Sequence, residues 1–167
     1  MESIKYTTDD LSYMKSTSKT NSVAKQVLFD TNVLIYSLDS ASPQFEAVRK
    51  LFARVKNGEI EAVAAHQNIV ETENVLVNIY KKSLDEARDA IDNVLFSFNF
   101  SLICPLPSTI SLYHRLIQRY SSKTKIDIYD IYLASTTLVN GVDSIATYNT
   151  KHFEGLGITV ISPGIGT

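Results

Sequence analysis

At 167 residues, with 44% apolar and 20% charged side chains, the chain has the length and composition of one globular domain able to bury a core. A formal net charge of -2 and a pI of about 5.9 provide no global positive field, so any nucleic-acid binding has to come from a local patch or from bound cations. The single cysteine excludes an internal disulfide and a thiolate zinc site, and no apolar run reaches membrane-span length.

Residues 1–25 are rich in Ser, Thr and Lys and lack periodicity, which predicts a polar tail ahead of a domain spanning 26–167. No apolar h-region stands at the N-terminus, so a cytoplasmic protein is expected. Val27, Leu28 and Phe29 followed by Asp30 form a short apolar run ending in an acid, the pattern of a buried parallel strand. Ser42 and Pro43 make an N-cap and first-turn pair for a helix that stops at Asn57 and Gly58. A second strand is expected over Ile60–Ala65 and a helix over Gln67–Tyr80, with Ile69, Thr72, Leu76 and Ile79 on its apolar side. Ser83 and Glu86 are spaced as a capping box, opening a helix that carries Ala87, Ile91, Val94 and Leu95.

A third strand is read over Ser101–Cys104, ended by Pro105 and Pro107, and Cys104 is expected to be a buried thiol. A helix over Thr109–Tyr120 follows, then one capped by Asp127 that runs to Leu138 and stops at Asn140 and Gly141. Ser144–Thr147 and Ile158–Ile161 complete five strands. Strands separated by helices point to a parallel sheet covered on both faces. In such sheets ligands gather beyond the carboxyl ends of the strands, which makes the residues just after each strand the candidates for chemistry.

Those residues are rich in oxygen donors. Asp30 ends the first strand, where it would either hold a hard cation or simply cap the next turn. Glu71 and Glu73 follow the second strand; two residues apart on a helix, they point about 200° from each other, so only one can face the crevice. Periodicity does not choose between them, although Glu71 lies nearer the helix N-terminus. With Asp127 as the N-cap, Asp130 is free to point into the crevice from the first turn. After the fourth strand come Thr147, Tyr148 and Asn149. Three carboxylates and an amide suit Mg²⁺ or Mn²⁺ rather than zinc, and clustered carboxylates call for a cation to relieve their repulsion. Such a site suits phosphodiester hydrolysis.

Four segments in this order resemble the PIN-domain family: residues 27–34, residues 67–76, Asp130 to Ala134, and residues 145–153. The resemblance implies a three-layer α/β/α sandwich with a five-stranded parallel sheet, Mg²⁺ or Mn²⁺ as cofactor, and single-stranded RNA as substrate. It also implies a homodimer and a cognate antitoxin, as in the VapC group of toxin ribonucleases. Carried over by position, Asp30, Glu71 and Asp130 would be metal ligands and catalytic, with Asn149 standing where a fourth acid is frequent. His152 replaces an acid often found before Phe153, and the 25-residue tail is longer than such toxins carry.

Asn32 and Thr147 are expected to orient the carboxylates from behind, or to satisfy nearby backbone. Tyr148 and Lys151 are candidate substrate contacts, the ring through stacking and the amine through phosphate; Tyr36, Tyr129, Tyr132, Lys123 and Lys125 are further candidates, with Tyr132 better suited to core packing. His66, His114 and His152 are not expected to be metal ligands, and only His152 is expected close enough to the lip to approach substrate. A haloacid-dehalogenase-type site would want an acid where Asn32 stands, and a receiver domain would want an acidic pair ahead of its phosphoacceptor strand. Other readings are a PIN nuclease in RNA processing and a PIN-fold RNA-binding module with weakened catalysis.

Overall fold

The computed structural model describes residues 24–120 and 127–164, so residues 1–23 of the predicted 1–25 tail and the candidates Lys123 and Lys125 lie outside the described residues, while Lys25 belongs to the first strand rather than to a tail. Strand β1 runs Lys25–Phe29, two residues earlier than the apolar run begins. Helix α1, Thr31–Leu38, follows at once, capped by Asp30, whose side chain accepts from Thr31 N. Its sequence of Val33, Leu34 and Ile35 has no stop signal before it, which is why the strand pattern conceals it. Helix α2 (Phe45–Lys56) starts later than the Ser42–Pro43 pair suggested: those two residues belong to the preceding turn, where Ser42 Oγ accepts from Gln44 N at 3.2 Å.

Strand β2 (Ile60–Ala65) leads into α3 (His66–Asn78) and α4 (Leu84–Ser97). The capping box at α4 forms as expected, Ser83 Oγ accepting from Glu86 N and Glu86 Oε2 accepting from Ser83 N. Strand β3 (Ser101–Ile103), helices α5 (Thr109–Tyr120) and α6 (Ile128–Val139), strand β4 (Ser144–Ala146), the short α7 (Thr150–Phe153) and strand β5 (Thr159–Ile161) complete the order. Asp127 caps α6 by accepting from Tyr129 N at 2.9 Å.

All strand pairings are parallel, in the order β3-β2-β1-β4-β5. Successive residues of β1 face opposite sides, and each side carries its own core. Val27 and Phe29 pack with Val33 and Leu34 of α1 and Val48, Leu51 and Phe52 of α2. Leu28 packs with Val63, Ile145, Leu116 of α5 and Ile131 and Leu133 of α6. A smaller cluster joins Ile35, Leu76, Ala87 and Ile91, seating α3 and α4 on α1. The result is the three-layer α/β/α arrangement expected. Cys104 is a correction: it is exposed, because β3 is a short edge strand whose end leaves the sheet before reaching the core.

This strand order places the topological switch between β1 and β4, since the chain builds outward from β1 on one side and then returns to add β4 and β5 on the other. At the switch point the loops leaving the two strands turn opposite ways and open a crevice. Asp30 leaves β1 and Thr147 leaves β4 at that crevice.

Candidate active site

Asp30 is 5% exposed, and all its partners come from strand ends or from the first turns of helices. Its Oδ1 accepts from Thr31 N at 2.7 Å, with Asn68 Nδ2 at 3.5 Å. Its Oδ2 accepts from Asn32 Nδ2 and from the Thr147 hydroxyl, both at 2.6 Å. Asn32 and Thr147 thus both donate to the same carboxylate oxygen. Thr147 is fully buried and is fixed in turn by accepting from Asn32 Nδ2 and Asn149 N, while Asn32 Oδ1 accepts from Tyr148 N.

Asn68 was not singled out in the sequence. It is fully buried, its Oδ1 accepting from Ala65 N at 3.4 Å and its Nδ2 donating to Thr31 Oγ1 at 3.2 Å. A polar side chain in the first turn of a helix that follows a buried strand is the one signal that pointed to it.

Between Glu71 and Glu73 the tertiary structure decides. Glu71 Oε2 accepts from the Thr31 hydroxyl at 2.7 Å, across 40 positions of sequence, and its Oε1 accepts from Gln67 Nε2 at 2.7 Å. Gln67 also reaches the Tyr129 carbonyl at 3.4 Å, joining α3 to the start of α6. Glu71 is therefore turned to Asp30 by the residue next to Asp30. Asp130, in the first turn of α6, is paired with His152 on α7, Oδ2 and Nδ1 lying 2.7 Å apart. His152 so acts on a carboxylate, a position that spacing alone did not reveal.

The charge of Glu71 reaches both Asp30 and Asp130. Burial is the largest influence on Asp30 and pushes its carboxyl up to about 6, with further upward pressure from the charges of Asp130 and Glu71; Thr147 and the Thr31 amide pull the other way. Asp130 is also raised, chiefly by burial and additionally by Asp127 and Glu71, while His152 holds it down. Each carboxylate has its own hydrogen-bond donors, and among the described residues no group of three or more His, Cys, Asp or Glu stands close enough to form a ready coordination cluster. The donors are nonetheless all hard oxygens, and like charge adds to the upward push on Asp30 and Asp130, the chemistry that a divalent cation fits and relieves.

Other candidates fall less close. Asn149 is exposed and precedes α7; its backbone N–H bonds Thr147, and its side chain caps nothing. Lys151 is exposed on α7. Tyr148 departs from its expected stacking role. Its ring packs edge-on against Tyr36 at 5.3 Å and its hydroxyl is buried without a partner, so the side chain is committed to the core side of the lip. Tyr129, by contrast, is 64% exposed.

A family model described as PIN domain matches residues 27–157. The chain belongs to the PIN-domain family. Members of this family are nucleases, and the crevice just described lies inside the matched segment. Among solved structures, FitAcB from Neisseria gonorrhoeae superposes with a TM-score of 0.68 at 16% identity, covering 84% of this chain and 99% of that one. VapBC2 from Rickettsia felis, bound to a DNA fragment from its promoter, gives 0.65 at 16% identity, covering 82% and 98%. The sarcin-ricin-loop-cleaving toxin VapC20 of Mycobacterium tuberculosis gives 0.55 at 10% identity, covering 71% and 86%. At these identities the likeness is one of fold. No curated protein matches the chain.

Proposed function

We infer that this PIN-domain protein is a Mg²⁺- or Mn²⁺-dependent endoribonuclease that hydrolyses phosphodiester bonds of single-stranded RNA, as the toxin of a type II toxin–antitoxin pair. The observation that carries the nuclease reading is the gathering of carboxylates at the switch point of the sheet, where Glu71 bonds the Thr31 hydroxyl beside Asp30 and its charge reaches both Asp30 and Asp130. Support for the toxin role comes from the neighbours, several of which are toxin–antitoxin complexes, among them one from Klebsiella pneumoniae. A homodimer, a cytoplasmic location and a cognate antitoxin belong to the same reading. Among the described residues no helix is long and apolar enough to cross a membrane.

Asp30, Glu71 and Asp130 would hold the cation. When bound, such an ion supplies Lewis-acid polarisation of a phosphate oxygen and a more acidic water. The chain itself supplies alignment. Thr147, Asn32 and Asn68 lock Asp30, Thr31 and Gln67 aim Glu71, and His152 holds Asp130. Ligand carboxylates need such outer partners, whose loss typically lowers metal affinity or activity by about 10- to 100-fold. A second reading, an RNA-binding module that no longer cuts, draws on Asn149 standing in place of a fourth acid.

Cleavage of an end-labelled single-stranded RNA with Mg²⁺ or Mn²⁺ separates these readings. Asp30→Asn, Glu71→Gln and Asp130→Asn are each expected to lower the rate more than the roughly 100-fold typical of an outer partner, and excess chelator to abolish it. Undiminished cutting in chelator would overturn the metal mechanism, and RNA binding without cutting would favour the second reading. Growth arrest on expression, relieved by the product of an adjacent gene, tests the toxin role.

A further inference from the structure

Beside the carboxylates, α5, α6 and the start of α3 leave a cleft of about 410 Å³, lined by Gln67, Ile110, Tyr113, Ile128, Tyr129 and Tyr132. This volume lies in the range of small-ligand pockets, about 300–1,000 Å³. Three of its residues are unusually exposed for apolar side chains: Ile110 at 50%, Ile128 at 54% and Tyr129 at 64%. Tyr132 and Tyr113 stand edge to face, ring centres 5.7 Å apart, forming a firm inner wall. Two links join the cleft to the candidate active site. Gln67 lines it and also bonds Glu71, and Tyr129 immediately precedes Asp130 on α6.

We propose that this cleft is a nucleobase subsite, taking one unpaired base next to the scissile phosphate of a single-stranded RNA. The proposal rests on the nuclease reading and specifies how that site grips its substrate. The lining favours a base over other parts of the nucleotide. Among the described residues its lining holds no charged side chain to pair with a phosphate, and it presents three aromatic rings to a flat π-surface. Stacking of this kind tolerates any base. An unpaired base can enter such a cleft, whereas a base held in a duplex would first have to leave its stack. The placement also divides the labour between neighbours on one helix: position 130 addresses the backbone and position 129 the base. With a net charge of -2, the chain has no global attraction for RNA, so a stacking contact at the site would supply grip that long-range electrostatics does not.

The test uses the full chain and a short single-stranded RNA carrying one abasic position, walked along the residues flanking the cut. Loss of the base at one flanking position is expected to lower kcat/KM by roughly 5- to 100-fold, the range of one stacking contact. Tyr129→Ala is expected to lower cleavage of the intact RNA comparably and to erase the difference between intact and abasic substrates. Tyr129→Phe should keep that difference. The exposure of Tyr129 leaves the core intact in these variants, which circular dichroism and the melting temperature would verify. In parallel, fluorescence titration of an RNA carrying 2-aminopurine at the sensitive position, in chelator, reads stacking without cleavage. If the wild type never cuts, the nuclease reading falls, yet quenching lost in Tyr129→Ala would still uphold the subsite. Equal cutting or equal quenching by wild type and Tyr129→Ala overturns the subsite. So does a wild-type dimer in sedimentation that Tyr129→Ala abolishes without altering RNA affinity, since a second copy would then fill the cleft.

Discussion

Replacing Asp30 by Asn should stabilise the metal-free protein at alkaline pH while destroying its proposed activity. The carboxyl is buried, and its pKa rises from 3.8 to about 6 on folding. A raised acid pKa means that the folded state favours the proton. The stability this brings is fully present below pH 3.8 and is lost as pH rises through about 6. At 1.36 kcal/mol per unit, the ionised group costs the fold roughly 3 kcal/mol above pH 7. Between pH 4.5 and 8 about 2 kcal/mol of that cost should develop. Asn cannot ionise, but its amide would face the Asn32 amide that Oδ2 now accepts from at 2.6 Å, forfeiting about 1 kcal/mol at every pH. The net expectation at pH 8 is a gain of about 1–2 kcal/mol over wild type. Near pH 4.5 that gain should vanish. Urea denaturation in excess chelator at both pH values measures it, and saturating Mn²⁺ should raise the stability of the wild type alone. A stability difference that stays constant from pH 4.5 to 8, or that turns against Asn at high pH, would refute the reasoning.

Four further outcomes are expected. Asn68→Ala should cost about 2–3 kcal/mol, since it strips partners from Ala65 N, Thr31 and Asp30 within a sealed space; chemical denaturation with unchanged stability would show that these bonds contribute nothing. His152→Ala removes the interaction that holds Asp130 down, so the acid limb of the cleavage pH profile should move to higher pH; an unmoved limb would show that Asp130 does not control it. Asn149→Asp, which restores an acid at the exposed lip before α7, should lower the Mn²⁺ concentration needed for half-maximal cleavage, and an unchanged titration would place that residue outside the metal's reach. As a control remote from the crevice, Ser83→Ala should lose about 1 kcal/mol of stability through its capping box and leave cleavage intact.

Much of the architecture was legible from local signals. Apolar runs marked β1 and β2, the capping box at Ser83 and Glu86 marked α4, and Asp127 with Asn140 and Gly141 bracketed α6. These features act over a few residues, within reach of a pattern along the chain. Helix α1 escaped because its apolar residues continue the run of β1 without a break, and the cap that starts it is Asp30 itself. Cys104 was misplaced for a related reason: an apolar run announces burial, but an edge strand covers only part of it.

Chain order and strand ends single out Asp30 and Asp130 as candidate oxygen donors, but leave Glu71 and Glu73 open. What the sequence by itself determined was therefore the alternation of strands and helices and the oxygen donors at their junctions. Only the tertiary structure decided that Glu71 rather than Glu73 turns to Asp30, that buried Asn68 ties the two strand ends together, that His152 pairs with Asp130, and that Tyr129 rather than Tyr148 lies open. The physical reason is the same in each case. These outcomes depend on partners remote in sequence, such as Thr31 for Glu71, 40 positions away, and Tyr36 for Tyr148, whose approach is set by strand order and helix packing, and helical periodicity specifies a face without saying what will stand opposite it.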